Sequence, residues 1–518
     1  MIKWFIRRCF WNLIAWLKFA LNKPLKIPVP PLQSARIDPV PMSRAIAGLK
    51  IDNIMVGGPD QIPSDERSLA QSAVYKLQVW LYSAFPAVQA GLPPVDADPQ
   101  VALKRSFTWL HRTKFAPPVE PAEYLASPDL GSLAVRGPYE GYLQACGDGQ
   151  FLWDLTSLAR FEVHPGLRRL GTKVLFKVDP LQRSLRAYRI ETELGTSMLD
   201  DGDWELSKQI ALCAASSHTS LVRHFNWVHL AGGGFLSIAT RNHLPGDHPI
   251  CRLLWPMTYH THQSTDMTAR GQMLPGGDFE TTFPFSFNGM CELFDRTHGD
   301  FRIAHSDPQV DATNRGVLDQ GFDTPSQDNL QALFAVMHEH ARHYTRIYYS
   351  DGVAGSGHNQ VTDDAKLMAW LDGLNALTPG GVEVTRANVT FDNLARLLAR
   401  YMYLESVQHE LVGGSLWNYQ LSTHRQPVRI AVDGKREPLD VHQRLVNANY
   451  NLNVDRLMLM SDDRKPAAHF TDLALDEAGK TAMEKFNRDL IDLQASMESQ
   501  PWAPWMLHPR ALKVSINA

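Results

Sequence analysis

Long stretches without helix-breaking residues dominate the second half of the chain and constrain its fold more than any other feature. Asp203–Leu230 contains neither proline nor glycine, and aspartate is a common N-cap residue of helices. Later stretches with helical patterning are Asn329–Tyr349, Asp363–Leu377, Thr390–Val412 and Leu475–Ser499. A strand pattern is clear in Lys173–Thr192, where two apolar runs flank a turn at Asp179 and Pro180. We therefore predict a mainly α-helical fold with a minor β portion.

Composition and charge exclude several other classes of protein. Of the 518 residues, 44% are hydrophobic and 20% are charged, which is ordinary for a globular protein with a large core. The net charge of -4 provides no basic surplus, so we expect no nucleic acid partner. The five cysteines are scattered without a CxxC pair, which argues against a disulfide framework or a zinc ribbon. This cysteine usage favours a reduced, cytoplasmic setting.

The N-terminal residues 1–23 combine many aromatic and aliphatic side chains with a few basic ones. Lys18 interrupts the apolar run before the roughly 20 residues that a membrane-spanning helix needs. Two interpretations stay open, because such a helix suits either a membrane surface or packing on the protein's own body. We predict a basic amphipathic helix over 1–23, which allows peripheral membrane contact, and a proline-rich connector with a helical region over 24–170.

His224 and His229 lie within the helical stretch Asp203–Leu230 and are separated by four residues. In a regular α-helix each residue advances about 100°, so these two side chains point about 140° apart. A shared metal ion therefore requires a local π-turn, which adds one residue to the turn and is frequent at functional sites. Taken alone, the pair fits a surface or core position as well as a metal site.

The segments that follow this pair resemble the lipoxygenase family in pattern and in order. Ile238–Leu244 matches the family pattern I-A-T-x-x-x-L, and His248–Leu254 matches H-P-I-x-(K/R)-L-L. Further matches in family order are Ala269-Arg270, Glu280–Pro284, Tyr348-Tyr349, Asp364–Trp370 and Ser406–His409. Arg510–Ala518 is similar to the family's closing R-G-I-P-N-S-I-x-I. The resemblance extends from Lys173 onward, so we predict a lipoxygenase-like catalytic domain over 171–518.

This resemblance implies a particular metal site and reaction. In the family, one iron is held by three histidines, the terminal carboxylate and a variable side chain. The corresponding ligands here are His224, His229, His409 and the main-chain carboxylate of Ala518, and manganese suits the same ligands as iron. The implied reaction removes a bis-allylic hydrogen from a polyunsaturated fatty acid and adds O2 to give a hydroperoxide, with metal-bound hydroxide as the base. An apolar channel for the acyl chain is implied as well.

Several positions depart from the family pattern or align ambiguously. The family has Asn, His or Ser four residues after the third histidine, whereas this chain has Gly413, which leaves a gap for water. Ala518 replaces the usual isoleucine, but its main-chain carboxylate can still bind. The residue that influences stereochemistry aligns with Pro275 or Gly276, and glycine there implies R chirality. Pro275, Gly276 and Phe279 are the predicted substrate contacts, and the family's N-terminal β-sandwich is not expected in 1–170.

Two rival hypotheses and two sets of histidines complete the interpretation. Gly413 motivates an iron-dependent hydroperoxide isomerase, or an oxidase of another lipid or specialised metabolite. The other rival is a non-enzymatic relative that uses residues 1–23 to contact a membrane or partner. His338, His340 and His343 lack the His-Glu-x-x-His spacing of a zinc site, so we interpret them as structural or solvated. His260 and His262 are interpreted as surface residues, with a channel entrance as the alternative.

Overall fold

The computed structural model describes residues 27–67, 129–420, 426–434, 458–460, 468–500 and 505–516, and the isolated helical residues 6, 9, 10, 13, 73 and 77. The helix predicted for residues 1–23 therefore lies almost wholly outside the described residues, and Ala518 lies outside them as well. Within the described ranges, no helix combines the length and the apolar character that crossing a membrane requires.

Helices make up most of the described structure, as the sequence predicts. The α-helices are α1 (Met42–Ala45), α2 (Leu130–Leu133), α3 (Trp204–His218), α4 (Phe235–His243), α5 (Pro249–Thr258), α6 (Thr261–Thr268), α7 (Asp278–Thr282), α8 (Phe287–Thr297), α9 (Pro308–Arg315), α10 (Pro325–Tyr348), α11 (Ala365–Leu377), α12 (Phe391–Tyr403), α13 (Leu416–Gln420), α14 (Ala468–Thr471) and α15 (Glu477–Glu498). Segments of π-helix cover Thr219–Gly234, Ala269–Met273, Leu404–Gln408 and Glu410–Ser415. Each long stretch predicted from the sequence is helical, so the mainly α prediction is confirmed.

The β portion consists of two antiparallel sheets. The smaller sheet pairs β1 (Pro39–Pro41) with β2 (Met55–Gly57). The larger sheet has the order β3 (Gln144–Gly147), β4 (Gln150–Asp154), β5 (Lys173–Asp179), β6 (Ser184–Thr192) and β7 (Gly195–Met198). The two strands predicted in Lys173–Thr192 are confirmed as β5 and β6. The strands of this sheet lie on both sides of residue 170 in the sequence. The domain boundary that we place there stays a prediction.

Two hydrophobic cores enclose the helix that carries the histidine pair. One core packs α10, α12 and α15 together, and the other packs the five-stranded sheet against α3. The π-helix Thr219–Gly234 contributes Val228 and Ala231 to the first core and Leu221 and Val222 to the second. Because it is fixed on two sides, this π-helix is a rigid platform for its polar side chains.

Candidate metal centre

The π-helix Thr219–Gly234 brings His224 and His229 to the same side. Nε2 of His224 lies 3.1 Å from Nε2 of His229, and the ring centroids are 4.8 Å apart. A regular α-helix would turn these side chains away from each other, whereas the wider π-turn lets them converge. The π-turn that the five-residue spacing predicts is therefore confirmed.

His409 approaches the pair from a second helix. It lies between the short π-helices Leu404–Gln408 and Glu410–Ser415, which continue α12. Its ring centroid is 5.1 Å from that of His224 and 5.0 Å from that of His229. One ring nitrogen from each of the three histidines lies within 4.8 Å of the others. In the described part of the chain, no second group of His, Cys, Asp or Glu side chains converges in this way.

The surroundings keep the three imidazoles neutral. Burial and, to a lesser extent, the Lys513 ammonium lower the pKa of His229 to about 3. Burial also holds the pKa values of His224 and His409 well below the ordinary range, and neighbouring imidazoles and Lys513 add to this effect. A neutral imidazole has a lone pair for a metal ion, so this site is ready to bind metal at neutral pH.

Gly413 lies directly against the His224 ring. A Cβ atom placed on Gly413 would be 2.7 Å from Nε2 of His224 and 3.0 Å from Cε1. Real Cβ atoms do not approach other heavy atoms so closely, so a side chain at this position would displace the ring. The space next to the Cα atom of Gly413 is therefore taken by the imidazole of His224. Water in place of a fourth side-chain ligand stays a prediction.

The substrate contacts predicted from the sequence fall in two places. Phe279 stands edge-to-face against Phe225 at 5.1 Å, and Phe225 stacks on the His229 ring at 5.4 Å. Pro275 and Gly276 are exposed in a turn, where Gly276 has a φ of 77° and donates its N–H to Glu280 Oε2. Phe279 is thus one ring away from the histidine cluster, while Pro275 and Gly276 lie on the surface.

A small pocket of about 20 Å³ opens beside His229. Its apolar wall includes Ile46 and Met55 from the N-terminal part and Leu230 from the π-helix. Its polar wall is one face of α6, which includes His262. His262 is 7% exposed and meets Ser237 Oγ at 3.1 Å, so interpreting it as a surface residue was wrong. The alternative interpretation, a channel position, agrees with its place in the cavity wall.

The N-terminal wall of this cavity is fastened to the body of the protein by Glu66. The Glu66 carboxylate is fully buried and lies 2.6 Å from the Arg241 guanidinium. It also accepts the backbone N–H groups of His262 at 2.9 Å and Gln263 at 3.2 Å. Arg241 in turn lies over the Trp255 ring at 4.6 Å. No sequence pattern identifies this contact, because its partners are about 175 residues apart.

The three histidines fit a metal ion such as iron or manganese. Three neutral imidazole nitrogens are a donor set that suits both metals. Imidazole nitrogens lie about 2.0–2.1 Å from zinc, so adjacent ligands on an ion of similar size lie about 3 Å apart, as the Nε2 atoms of His224 and His229 do. Nδ1 of His409 is buried and has no hydrogen-bond partner among the described residues. The cluster therefore includes at least one buried ring nitrogen that no described protein group satisfies.

Comparison with known proteins links this geometry to one family, although no family model matches the chain. The chain is 22% identical over 314 residues to polyunsaturated fatty acid lipoxygenase ALOX15B of Rattus norvegicus, covering 58% of this chain and 45% of that protein. It is 24% identical over 321 residues to the 12R-type arachidonate 12-lipoxygenase of Mus musculus, covering 58% and 43%. The matched region is thus less than half the length of either relative.

Solved structures of lipoxygenases share the fold over most of the chain. A calcium-dependent 11R-lipoxygenase superposes with a TM-score of 0.69 at 16% identity, covering 93% of this chain and 78% of that chain. The manganese lipoxygenase of Gaeumannomyces graminis superposes with a TM-score of 0.73 at 12% identity, covering 93% and 96%. The fold is that of the lipoxygenase catalytic domain. The sequence matches to lipoxygenases cover part of the same domain, so the chain is similar to this family in both sequence and fold.

Proposed function

We propose that this protein is a lipoxygenase-type dioxygenase, which binds one iron or manganese ion and converts a polyunsaturated fatty acid into a hydroperoxide. The observation that carries the proposal is the convergence of three neutral imidazoles from two helices beside a cavity. The relatives from rat and mouse are named for polyunsaturated fatty acids and arachidonate, which supports this class of substrate. The fold family supports O2 as the second substrate.

The proposal assigns a role to each part of the site. His224, His229 and His409 hold the metal, and the main-chain carboxylate of Ala518 is the proposed fourth ligand. A bound metal ion would supply the electron acceptor and the base that removal of a bis-allylic hydrogen requires. We assign the acyl chain to the apolar wall of this pocket, which must widen to admit it because about 20 Å³ is room for little more than one water molecule. The Phe225 ring, which Phe279 supports, fixes the orientation of the His229 imidazole.

A second candidate function rests on Gly413. Because the His224 ring lies against this glycine, the centre has no side chain at the position of the family's variable ligand. A metal centre with one fewer protein ligand suits a hydroperoxide isomerase, or an oxidase of another lipid or specialised metabolite. Incubation with linoleate or arachidonate distinguishes the two, because a dioxygenase consumes O2 and forms hydroperoxides, whereas an isomerase consumes only added hydroperoxides.

The experiment that tests the proposal is the metal content of the purified protein, compared with that of a His409→Ala variant. We expect about one iron or manganese ion per chain in the wild type, since three imidazoles form one site. Loss of a direct ligand should weaken binding beyond the roughly 10- to 100-fold that loss of a supporting residue costs. His358→Ala is the control, because His358 is exposed and lies outside the cluster.

The outcomes separate the proposal from a non-enzymatic role. A wild-type protein that stays free of metal after anaerobic loading with iron and with manganese would overturn the oxygenase proposal. The protein would then be a binding relative, for which we propose membrane or partner contact through residues 1–23. Equal metal content in the His409→Ala variant and the wild type would place the metal elsewhere.

A further inference from the structure

Residues 512–516 pack against both helices that carry the histidines. Leu512, Val514 and Ile516 are buried in the core that packs α10, α12 and α15. The backbone of Leu512 accepts the Leu459 N–H at 3.0 Å. Between these apolar residues, Lys513 is only 1% exposed. A lysine ammonium that is removed from water needs a charged or polar partner nearby. Lys513 therefore fixes which groups this segment must meet.

Glu405 is the first of two buried carboxylates that meet this segment. Its side chain is completely buried, and Oε2 accepts the Ile516 N–H at 3.4 Å. Gly233, on the π-helix of the histidine pair, faces the same point. A Cβ atom on Gly233 would be 2.5 Å from Glu405 Oε1 and 2.5 Å from Ile516 Cδ1. The lack of a side chain at Gly233 thus lets both histidine helices and the segment meet.

Glu410 is the second buried carboxylate and follows His409 directly. Its Oε2 lies 3.7 Å from Nζ of Lys513, and both side chains are almost completely buried. Gly414 makes room for Glu410, because a Cβ atom there would overlap Glu410 Oε1. A second glycine beside the metal centre therefore accommodates a second buried carboxylate, and this carboxylate pairs with the same segment.

We propose that Glu405 and Glu410 are positioning residues, which hold residues 512–516 against the histidine cluster through the Ile516 N–H and the Lys513 ammonium. The inference rests on the proposed metal site, since the segment matters to function only if the histidines bind metal. Two polar contacts of different kinds fix both the depth and the register of the segment. Apolar packing alone would fix them less well, because it is not directional.

The experiment compares Glu405→Gln, Glu405→Leu and Lys513→Met in the full chain. Glutamine keeps an oxygen that accepts the Ile516 N–H, so Glu405→Gln should behave like the wild type. Leucine removes the acceptor, and Lys513→Met leaves Glu410 buried without its cation. For these two variants we expect iron release to a chelator to accelerate about 10- to 100-fold, as for loss of a residue that supports a metal ligand. Lys485→Met, which removes a half-buried lysine paired with Asp489 away from the histidine cluster, is the control.

A second measurement separates a positioning role from a general loss of stability. Hydrogen–deuterium exchange of the metal-free protein should rise at residues 512–516 in Glu405→Leu and Lys513→Met but stay unchanged in α12 and α15. The double variant Glu410→Gln/Lys513→Met removes both charges and should restore slow exchange relative to Lys513→Met. Exchange that rises equally over the whole chain would overturn the positioning role.

The two proposals fail in different ways. If the wild type binds no iron, the proposed function is wrong, whatever the exchange data show. If the wild type binds iron and Glu405→Leu and Lys513→Met release it at the wild-type rate, the metal site stands and the positioning role is wrong. If Glu405→Gln releases iron as fast as Glu405→Leu, an oxygen that accepts the Ile516 N–H is not what holds the segment, which also contradicts the proposal.

Discussion

At Gly413 the backbone of one histidine helix touches the imidazole of the other. This contact defines a test, because two ideas about the missing side chain predict opposite results. If the position were simply vacant, Gly413→Asn would add a ligand and tighten metal binding. Since a Cβ atom would be 2.7 Å from His224 Nε2, we expect both Gly413→Asn and Gly413→Ala to displace this ring and weaken iron binding by about 10-fold or more.

Competition with a coloured chelator measures the affinities of these variants. Gly299→Ala is a suitable control, because a Cβ atom on Gly299 meets nothing within 4 Å. If Gly413→Asn binds iron as tightly as the wild type, the His224 ring can move aside. The close approach of Gly413 to this ring would then not affect metal binding.

Prediction from the sequence worked best for residues whose roles follow from spacing along one helix. The five-residue separation of His224 and His229 already required a π-turn, because an α-helix cannot bring the two side chains together. The roles of Gly233, Glu405 and Lys513 could not be predicted in this way. They depend on how closely two helices and a distant segment approach, and no local pattern encodes that distance.

At the scale of the element, the π-helix Leu404–Gln408 buries Glu405 in an apolar environment. Burial raises the pKa of this carboxyl to about 8, although the Ile516 N–H opposes the shift. The folded protein therefore keeps the proton at pH values at which the unfolded chain, with a pKa of about 4.5, has released it. The contribution of Glu405 to the free energy of unfolding should be fully present below about pH 4.5 and should fall as pH rises toward 8, because the unfolded state then binds fewer protons.

Urea unfolding of the metal-free protein at pH 5 and pH 7.5 measures this effect against Glu405→Gln. The variant lacks the titrating group. The difference between its free energy of unfolding and that of the wild type should therefore shift in favour of the variant by on the order of 3 kcal/mol between these two pH values. All other groups titrate in both proteins and cancel in the comparison. Parallel pH profiles for the two proteins would contradict the burial of an ionisable Glu405.

Long elements were easier to predict than short ones. α10 and α15 have apolar positions at helical spacing over many turns, so their sequences alone identify them. The strands β1, β2, β3 and β7 have only three or four residues each and were not predicted. Their stability comes from partners and from burial rather than from a repeated pattern, and β3 is exposed along its whole length.

At the scale of the whole molecule, the described N-terminal residues 27–67 form part of the cavity wall and depend on the contact between Glu66 and Arg241. Both side chains are fully buried in this pair. Removal of one partner leaves the other charged and buried, which typically costs about 3 to 5 kcal/mol. We therefore expect Arg241→Met to lower the free energy of unfolding by most of this amount. The double variant Glu66→Gln/Arg241→Met should recover part of the loss.

Limited proteolysis and urea unfolding together check this prediction. Arg241→Met should make residues 27–67 more sensitive to protease than the remainder of the chain, since Glu66 connects them to α6. Arg386→Met is the control, because Arg386 forms an exposed pair with Asp372. Equal protease sensitivity of Arg241→Met and Arg386→Met would show that the N-terminal wall is held by its apolar contacts alone.

The glycines around the metal centre also determine which mutations this lineage can accept. One base change converts any glycine codon into an alanine codon, so the smallest possible gain in side-chain volume is a single mutation away. At Gly233, Gly413 and Gly414 that gain meets a functional side chain within 3 Å. Sequence drift near the metal should therefore be slowest at the residues with no side chain, and a saturation mutagenesis library should recover these three glycines more uniformly than the large apolar residues around them.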